Sequence, residues 1–397
     1  MRVVGSPALR RSVPLLPALL SIILLPLIGV LWLKARNGQA YHVVWRRELV
    51  KEPRSVGRPF YHGGRVYVPD SGGNLFALDA RGGRTLWTFR IGDDWAGVIP
   101  RFVVEGVLYC SANNAYVYAI DIASGKKRWA FKLASSAGTP GMDGDVVYAT
   151  APSSGIVYAL DRRDGRLLWK TDVKWSIISQ PIVSGDDVYL FSQRFPIYGD
   201  YRRSRPQRLD KNLRLHRLDK TTGRVIEEKN LGEKLFLLVR AGVSFPTASE
   251  ARSLVFYRED TGMLYRWRPW WQRLRRIGAL PSRDITPHTA LLSGERLYVV
   301  WDREVRAYRV ASRQLLWKQP VRGGTYGLTV IDDTLFATSF VPCNEGHFYA
   351  IDTRTGTVRW YLNGRMKRSL PVKGGDMLYF TDSKGGVNAV RKNRGGR

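Results

Sequence analysis

Hydrophobic and polar positions alternate in short runs along this chain, and the alternation recurs as one phrase about every forty residues. The phrase begins near Gly-x-Val-Tyr, passes a turn to a Tyr-Ala-Leu-Asp-like run, and ends after a glycine turn at a tryptophan. Three nearly unaltered copies cover residues 64–87, 106–129 and 144–169. Because periods of this size are typical of stacked supersecondary units, the pattern predicts a repeat architecture.

Each repeat carries the signals of four short strands. In the first copy, β-rich runs at 66–68, 75–78 and 85–89 are separated by turn-forming stretches. A fourth run precedes the unit, as residues 179–183 do in a later copy. Four antiparallel strands with one Gly/aromatic motif are typical of a propeller blade, whose tryptophan we expect to pack flat against the neighbouring blade. The repeat tryptophans are Trp45, Trp87, Trp129, Trp169, Trp317 and Trp360.

The number of blades follows from counting hairpins and terminal strands, which gives eight of each. The first terminal strand, residues 43–49, has no hairpin before it, and the last hairpin, residues 377–390, has no terminal strand after it. Both are explained if the first terminal strand completes the blade that the last hairpin begins, which closes the ring. We therefore predict an all-β, eight-bladed β-propeller of four-stranded antiparallel blades, closed by the N-terminal strand, with seven blades as the alternative.

The spacing Ala-x-Asp-x-x-x-Gly-x-x-x-Trp resembles the PQQ-type β-propeller repeat, and the resemblance covers nearly all of residues 43–391. That repeat family contains quinoprotein dehydrogenases and also members that bind no cofactor. Among the latter, the chain is most similar to the BamB-type outer-membrane-assembly propellers, although it has no cysteine after its apolar segment to carry a lipid. The resemblance implies a non-enzymatic scaffold of the cell envelope that binds protein partners through its loops and holds no cofactor.

A PQQ-dependent quinoprotein oxidoreductase remains the alternative function. Such an enzyme needs a divalent cation such as calcium and a carboxylate base on the propeller axis. The family's alcohol-oxidising members also carry adjacent cysteines, whereas Cys110 and Cys343 are 233 positions apart. We expect the repeated aspartates to accept hydrogen bonds from turn amides rather than bind metal. The histidines lack metal-ligand spacing and are expected on the surface or in loops; they are His42, His62, His216, His288 and His347.

An uncharged apolar segment occupies residues 13–33, and a helix of that length spans roughly 30 Å, the thickness of a bilayer core. We predict a single transmembrane signal-anchor helix in a bacterial cell membrane, with the propeller in the periplasm or on the extracellular side. A signal peptide cleaved near residues 38–40 is the alternative. The predicted parts are a basic segment 1–12, the helix 13–33, a linker 34–42, the propeller 43–391 and a basic tail 392–397.

The charge is strongly positive, with 63 basic against 34 acidic residues and a formal net charge of +29. This favours an anionic partner, and the excess is concentrated where the repeat fails. Blade four carries a basic insertion before residue 215, and Glu227 stands at its tryptophan position. Blade five aligns with the repeat without gaps, which places Arg276 at the tryptophan position.

Arginine beside tryptophan suits a membrane interface, and it also suits stacking on single-stranded nucleic acid. The alternative is a solvated loop beside a degenerate blade. Because the insertion joins second and third strands and residues 269–271 join third and fourth, the two should lie on opposite faces. We expect a monomeric propeller that binds envelope proteins, with anionic lipid or polymer as a further partner and no nucleic acid. The candidate interaction residues are Arg202, Arg203, Arg205, Arg208, Lys211, Arg214, Arg266, Trp267, Arg268, Trp270, Trp271 and Arg273.

Overall fold

The structure is a computed structural model. It describes residues 41–51, 55–91, 97–193, 212–232, 235–237, 254–258, 261–271, 273–279, 290–301, 303–341, 345–364, 369–382 and 384–393. The predicted helix at 13–33 and the insertion residues 194–211 lie outside these ranges. Within them, no helix is long and apolar enough to cross a membrane.

Eight antiparallel sheets form the fold, as predicted. The first strand in the chain is β1 (Tyr41–Glu48). Blade one contains β2 (Phe60–His62), β3 (Arg65–Pro69), β4 (Asn74–Asp79) and β5 (Thr85–Arg90). Blade two contains β6 (Val98–Val104), β7 (Val107–Ala112), β8 (Tyr116–Asp121) and β9 (Lys127–Lys132). Blade three contains β10 (Gly141–Asp143), β11 (Val146–Ala151), the short 3-10 helix η1 (Pro152–Ser154), β12 (Ile156–Asp161) and β13 (Leu167–Asp172).

Blades four and five are less regular. Blade four contains β14 (Ser176–Ile177), β15 (Ile182–Ser184), β16 (Asp187–Gln193), β17 (Leu213–Asp219) and β18 (Val225–Gly232). It has five strands instead of the predicted four, because the inner strand is interrupted and both its pieces pair with β16. Blade five contains β19 (Leu235–Leu237), β20 (Leu254–Arg258), β21 (Met263–Trp267), the 3-10 helix η2 (Pro269–Trp271) and β22 (Arg275–Ala279).

The remaining three blades return to the regular pattern and close the ring. Blade six contains β23 (Ala290–Ser293), β24 (Arg296–Trp301), β25 (Glu304–Arg309) and β26 (Leu315–Pro320). Blade seven contains β27 (Gly324–Ile331), β28 (Thr334–Val341), β29 (Glu345–Asp352) and β30 (Val358–Gly364). Blade eight contains β31 (Val372–Gly374), β32 (Met377–Thr381) and β33 (Gly386–Lys392), and β1 pairs with β33 as its outer strand. The predicted closure by the N-terminal strand is confirmed.

The turns fall on two faces. On one face, the turn between the first and second strands of a blade hydrogen-bonds to the turn between its third and fourth strands. In blade one, the amide of Ala80 donates to the carbonyl of Gly64 at 3.0 Å, and in blade four the amide of Lys220 donates to the carbonyl of Asp186 at 2.8 Å. We call this the paired-turn face. The other, which we call the insertion face, carries the turns between second and third strands.

The repeat tryptophans hold neighbouring blades together. Trp129 of blade two lies on Gly165 of blade three, and its indole N–H donates to the carbonyl of Arg162 at 2.9 Å. Gly165 has a φ of +76°, and a Cβ there would lie 2.7 Å from the Trp129 ring, so the turn needs glycine for both space and conformation. The same contact joins Trp45 to Gly83, Trp87 to Gly125, Trp169 to Gly223 and Trp317 to Gly356.

Trp360 makes a different contact, because the next blade is the one that the N-terminal strand completes. That blade has no continuous turn between its third and fourth strands. Instead Tyr41, the first residue of β1, packs against Trp360 with ring centroids 5.1 Å apart. The closing strand therefore supplies the surface that a glycine turn supplies elsewhere.

Candidate interaction surfaces

The turn between the third and fourth strands of blade five differs from the repeat in the place of its bulge, not in its length. In blade one, Leu75 pairs with Phe89, and the bulge lies two residues closer to the turn, just after Ala77. In blade five, Leu264 pairs with Gly278, and the bulge follows this pair immediately. The same number of residues separates the two paired positions in both blades, so the bulge has moved away from the turn.

This register agrees with the gapless alignment of blade five, which places Arg276 at the tryptophan position. Because of the displaced bulge, Arg276 pairs with Tyr265. A Cβ at Gly278 would lie 2.2 Å from the carbonyl oxygen of Val310 in blade six. The backbone of blade five thus approaches the same turn position on which a tryptophan rests elsewhere.

Two tryptophans of the blade-five turn have opposite environments. Trp267 is fully buried at 0% exposure and packs edge-on against Tyr189 and Phe191 of blade four, with centroids 5.2 and 5.0 Å away. This corrects its assignment as an interaction residue, because a side chain inside the core cannot touch a partner. Trp270 is 55% exposed, and the guanidinium carbon of Arg268 lies 5.2 Å from its ring centroid. Only the backbone of Trp271 is described, within η2.

Positive charge surrounds this turn. Arg266 faces Arg275 directly across β21 and β22, and like charges in such a pair repel each other. Burial, and then the nearby Arg268, lower the pKa of Arg266 below its ordinary value. Arg273 and Arg276 are exposed and make no ion pair with a described carboxylate. Residues 267–276 contain no acidic residue.

Two regular blades, by contrast, pair an arginine on the paired-turn face with nearby carboxylates. In blade three, Arg162 pairs with Glu105 of blade two at 2.7 Å and with Asp145 at 2.8 Å. In blade seven, Arg359 pairs with Asp333 at 2.8 Å. The charge of these two arginines is therefore offset, whereas the blade-five turn, residues 267–276, contains no acidic residue.

The structure describes one member of the other predicted basic cluster. Arg202, Arg203, Arg205, Arg208 and Lys211 lie outside the described residues, and so does their predicted placement on the insertion face. Arg214 is the second residue of β17; its Nη1 donates to Glu228 at 2.6 Å, and its guanidinium carbon lies 4.2 Å from the Trp175 ring centroid. Since β17 begins at the insertion face, Arg214 and the blade-five turn lie toward opposite faces.

The outer strand of blade four is the second unusual surface. Its first six residues, 225–230, are all exposed, including Val225 at 38% and Ile226 at 41%. In blades two, three and six the tryptophan buries the middle of this strand, whereas Glu227 at that position points into solvent. As in the other blades, the outer strand pairs on one side alone among the described strands, so the other edge of β18 is open.

Blade four also contains a buried polar network that sequence reasoning missed. His216, 1% exposed, lies on β17 with its Nε2 2.6 Å from the Ser192 hydroxyl and its Nδ1 3.8 Å from Glu228. Burial lowers the pKa of His216, an effect that Glu228 opposes and Arg214 adds to. The expected surface or loop location was wrong for this histidine. Aligning the repeats could have found it, because His216 falls at the strand position of Phe76.

His347 of blade seven was also expected on the surface and is buried, at 2% exposure. Its Nδ1 lies 2.7 Å from the Tyr361 hydroxyl. The repeated aspartates match their structural interpretation: Asp121 accepts the amides of Ala123 and Ser124 at 3.1 and 2.9 Å. The Arg128 guanidinium first, and then the hydrogen bonds from Ser124, hold the pKa of Asp121 well below its usual range.

The described residues do not fit a quinone–calcium centre. Within them, no group of three or more His, Cys, Asp or Glu side chains could hold a metal ion. Cys110 is a free, fully buried thiol whose pKa burial raises strongly. A groove of about 420 Å³ between blades seven and eight is lined by charges already paired, such as Lys373 with Asp332 at 2.7 Å. No step of quinone chemistry can be assigned to these side chains.

Comparisons with known proteins agree with the repeat. The chain is 25% identical over 354 residues to outer membrane protein assembly factor BamB of Yersinia pestis, covering 85% of this chain and 74% of that protein. It is 21% identical over 340 residues to BamB of Moranella endobia (strain PCIT), covering 83% and 73%. The crystal structure of BamB from Moraxella catarrhalis superposes with a TM-score of 0.61 at 16% identity, covering 90% of this chain and 99% of that one.

The fold alone does not separate scaffold from enzyme. Quinohemoprotein alcohol dehydrogenase from Comamonas testosteroni also superposes with a TM-score of 0.61, at 12% identity, covering 90% of this chain and 77% of the enzyme. The family model is more specific. The model described as outer membrane protein assembly factor BamB matches residues 32–135, 113–226 and 211–397. By this match, and by the propeller and repeat that underlie it, the chain belongs to the BamB family.

Proposed function

We propose that this protein is a non-enzymatic interaction scaffold of the bacterial cell envelope, held at the membrane by residues 13–33, and that it binds a partner protein along β18. Membership of the BamB family supports the envelope location and the protein partner. The observation that carries the choice of surface is the run of six exposed residues, 225–230, on an unpaired outer strand.

An exposed strand edge is a template for another strand. Its unpaired backbone N–H and C=O groups can bond to an extended segment of the partner, and side chains beside the edge add specificity. Here Val225 and Ile226 supply apolar contact, and Leu167 and Leu168 occupy the same strand position in blade three at 38% and 41% exposure. The ring below is rigid, so this edge is held in place before binding, which lowers the entropic cost of association.

Photo-crosslinking in living cells tests the surface. A photoreactive amino acid is placed at Ile226, and a matched control carries it at Leu86, the same bulge position of blade one with 37% exposure. We expect a discrete covalent adduct with one envelope protein from position 226 and none from position 86. The substitution Val225→Lys should then reduce the yield of that adduct by about tenfold, because it places a charge in an apolar contact.

Equal adduct patterns from positions 226 and 86 would contradict the choice of β18. The oxidoreductase alternative is tested separately, by titrating the purified chain with PQQ and Ca²⁺ and following quinone absorbance and dye reduction. Saturable binding with turnover would overturn the non-enzymatic proposal.

A further inference from the structure

We infer that the paired-turn face of this propeller docks on an anionic phospholipid surface, with residues 268–271 and 273–276 of the blade-five turn as the contact. The inference concerns a different surface from β18 and a different class of partner. It uses the proposed membrane location of residues 13–33 and otherwise depends on the geometry of blades five and eight.

The start of β1 and the blade-five turn lie on the same face of the ring. In blade eight, Tyr41 at the start of β1 pairs with Lys392 at the end of β33. In blade five, the end of β21 and the start of β22 flank η2 at the corresponding place. The third strand ends and the fourth begins on the same face in both blades. The polypeptide that precedes Tyr41 therefore leaves the ring from the face that carries Trp270.

The distance between the apolar segment and the ring is limited by the short stretch of chain that joins them. Seven residues, 34–40, separate the apolar segment from Tyr41, and seven residues reach at most about 25 Å. A bilayer that holds residues 13–33 is therefore close to the paired-turn face and not to the insertion face. This tether holds the blade-five turn within reach of lipid headgroups.

The blade-five turn has the chemistry of a headgroup contact. Trp270 is more than half exposed, and the guanidinium carbon of Arg268 lies 5.2 Å from its ring centroid. Indole rings favour the headgroup depth of a bilayer, and guanidinium groups pair with lipid phosphates. Exposed Arg273 and Arg276 add positive charge, and residues 267–276 contain no acidic residue.

The positive charge of this turn is not offset within it. The corresponding turn of blade three contains carboxylates, and its Arg162 pairs with Glu105 and Asp145. Residues 267–276 contain four arginines and no acidic residue. A lipid surface fits this turn better than a nucleic acid does, since the tether brings the bilayer to it.

The test uses the full chain reconstituted in nanodiscs. One set contains phosphatidylcholine alone, and the other contains phosphatidylcholine with about a third phosphatidylglycerol, which supplies the negative surface. Hydrogen–deuterium exchange is compared between the blade-five turn and a reference turn on the insertion face, residues 113–115. We expect slower exchange at 267–276 only in anionic nanodiscs, and no change at 113–115.

Variants make the assignment specific to this turn. Each arginine near an anionic surface strengthens binding by about fivefold, so Arg273→Glu with Arg276→Glu should abolish the protection. Trp270→Ala, which leaves charge unchanged, should reduce it. The matched control is Arg81→Glu with Arg84→Glu in the blade-one turn, which should leave the blade-five protection in place.

Three outcomes would overturn the inference: equal exchange at 267–276 in both nanodisc types, protection that survives the blade-five variants, or the same protection from inorganic phosphate in detergent without lipid. Failure of the chain to incorporate into nanodiscs would instead contradict the proposed anchor. The crosslinking at Ile226 is independent of both, so a failed protein partner is distinguishable from a failed lipid contact.

Discussion

Blades three and five occupy equivalent places in the ring and use the same turn in opposite ways. In blade three the turn residues make contacts that hold the ring together: Gly165 lies against Trp129, and Arg162 pairs with two carboxylates. In blade five, residues 267–276 contain no acidic residue, and Trp270 is exposed. In a blade that follows the repeat, the polar and aromatic side chains of the turn are bound within the ring and are not available to a partner. In a blade that departs from the repeat, such side chains remain exposed at the surface.

The junction between blades four and five shows how the ring tolerates that failure. Glu227 has replaced the tryptophan that would reach forward from blade four. Trp267 reaches back from blade five instead and packs against Tyr189 and Phe191. The buried aromatic area at this junction is kept, although the side chain comes from blade five instead of blade four. The ring therefore closes, while the outer strand of blade four and the turn of blade five remain at the surface.

The largest expected effect is the loss of folding stability when a buried tryptophan at a junction between blades is removed. Trp129→Ala and Trp267→Ala should each lower the free energy of unfolding by about 3–5 kcal/mol, because both remove a buried aromatic side chain. Denaturant unfolding followed by circular dichroism measures this. A loss below about 1 kcal/mol for Trp267→Ala would contradict its role as the reversed junction residue.

The glycine turns should show the next largest effect. Gly165→Ala should cost about 2–4 kcal/mol, since it adds a positive-φ penalty to a clash with the Trp129 ring. Gly144→Ala is the matched control in the same blade: its φ is +54° but nothing lies within 4 Å of the new Cβ, so about 1–2 kcal/mol is expected. Equal costs in unfolding experiments would show that ring contact adds nothing.

A smaller effect should appear with pH in blade four. Burial lowers the pKa of His216, with Glu228 and Arg214 as its charged neighbours, so the unfolded chain binds a proton more readily than the folded one. Stability contributed by neutral His216 is therefore lost as pH falls below about 6.5, by at most about 1.4 kcal/mol per unit, until the folded pKa is reached.

His216→Gln should flatten the dependence of unfolding free energy on pH between about 6.5 and 5. The comparison is with the unsubstituted chain at each pH. An identical slope in both proteins would mean that this buried histidine does not titrate differently in the folded state.

The smallest expected effect on folding stability is for the exposed tryptophan of the blade-five turn. Trp270→Ala should change the free energy of unfolding by no more than about 0.5 kcal/mol, because the side chain is 55% exposed and lies outside the core. Measured beside Trp267→Ala, three residues earlier, it tests whether surface and core tryptophans divide as the structure has them. A cost near that of Trp267→Ala would place Trp270 in the junction instead.

Much of the fold was predictable, because the repeat encodes it locally. Turn glycines, strand alternation and the unmatched first and last strands gave eight blades and their closure, and the structure has both. Blade five aligns with the repeat without gaps, but its bulge lies two residues farther from the turn, and residue type does not reveal that shift. As a result, the backbone at Gly278 approaches Val310 of blade six. The candidate site was found in part, with Trp270 exposed and Trp267 buried.

The sequence by itself determined the ring, because period, turn chemistry and hydrophobic alternation act over a few residues and point to one architecture. Only the tertiary structure decided which polar and aromatic residues remain for function. Whether Arg162 is neutralised depends on Glu105 in another blade, whether His216 is buried depends on three strands meeting around it, and whether a tryptophan faces solvent depends on the neighbouring blade. Those contacts join residues far apart in the chain, so composition and spacing cannot reveal them.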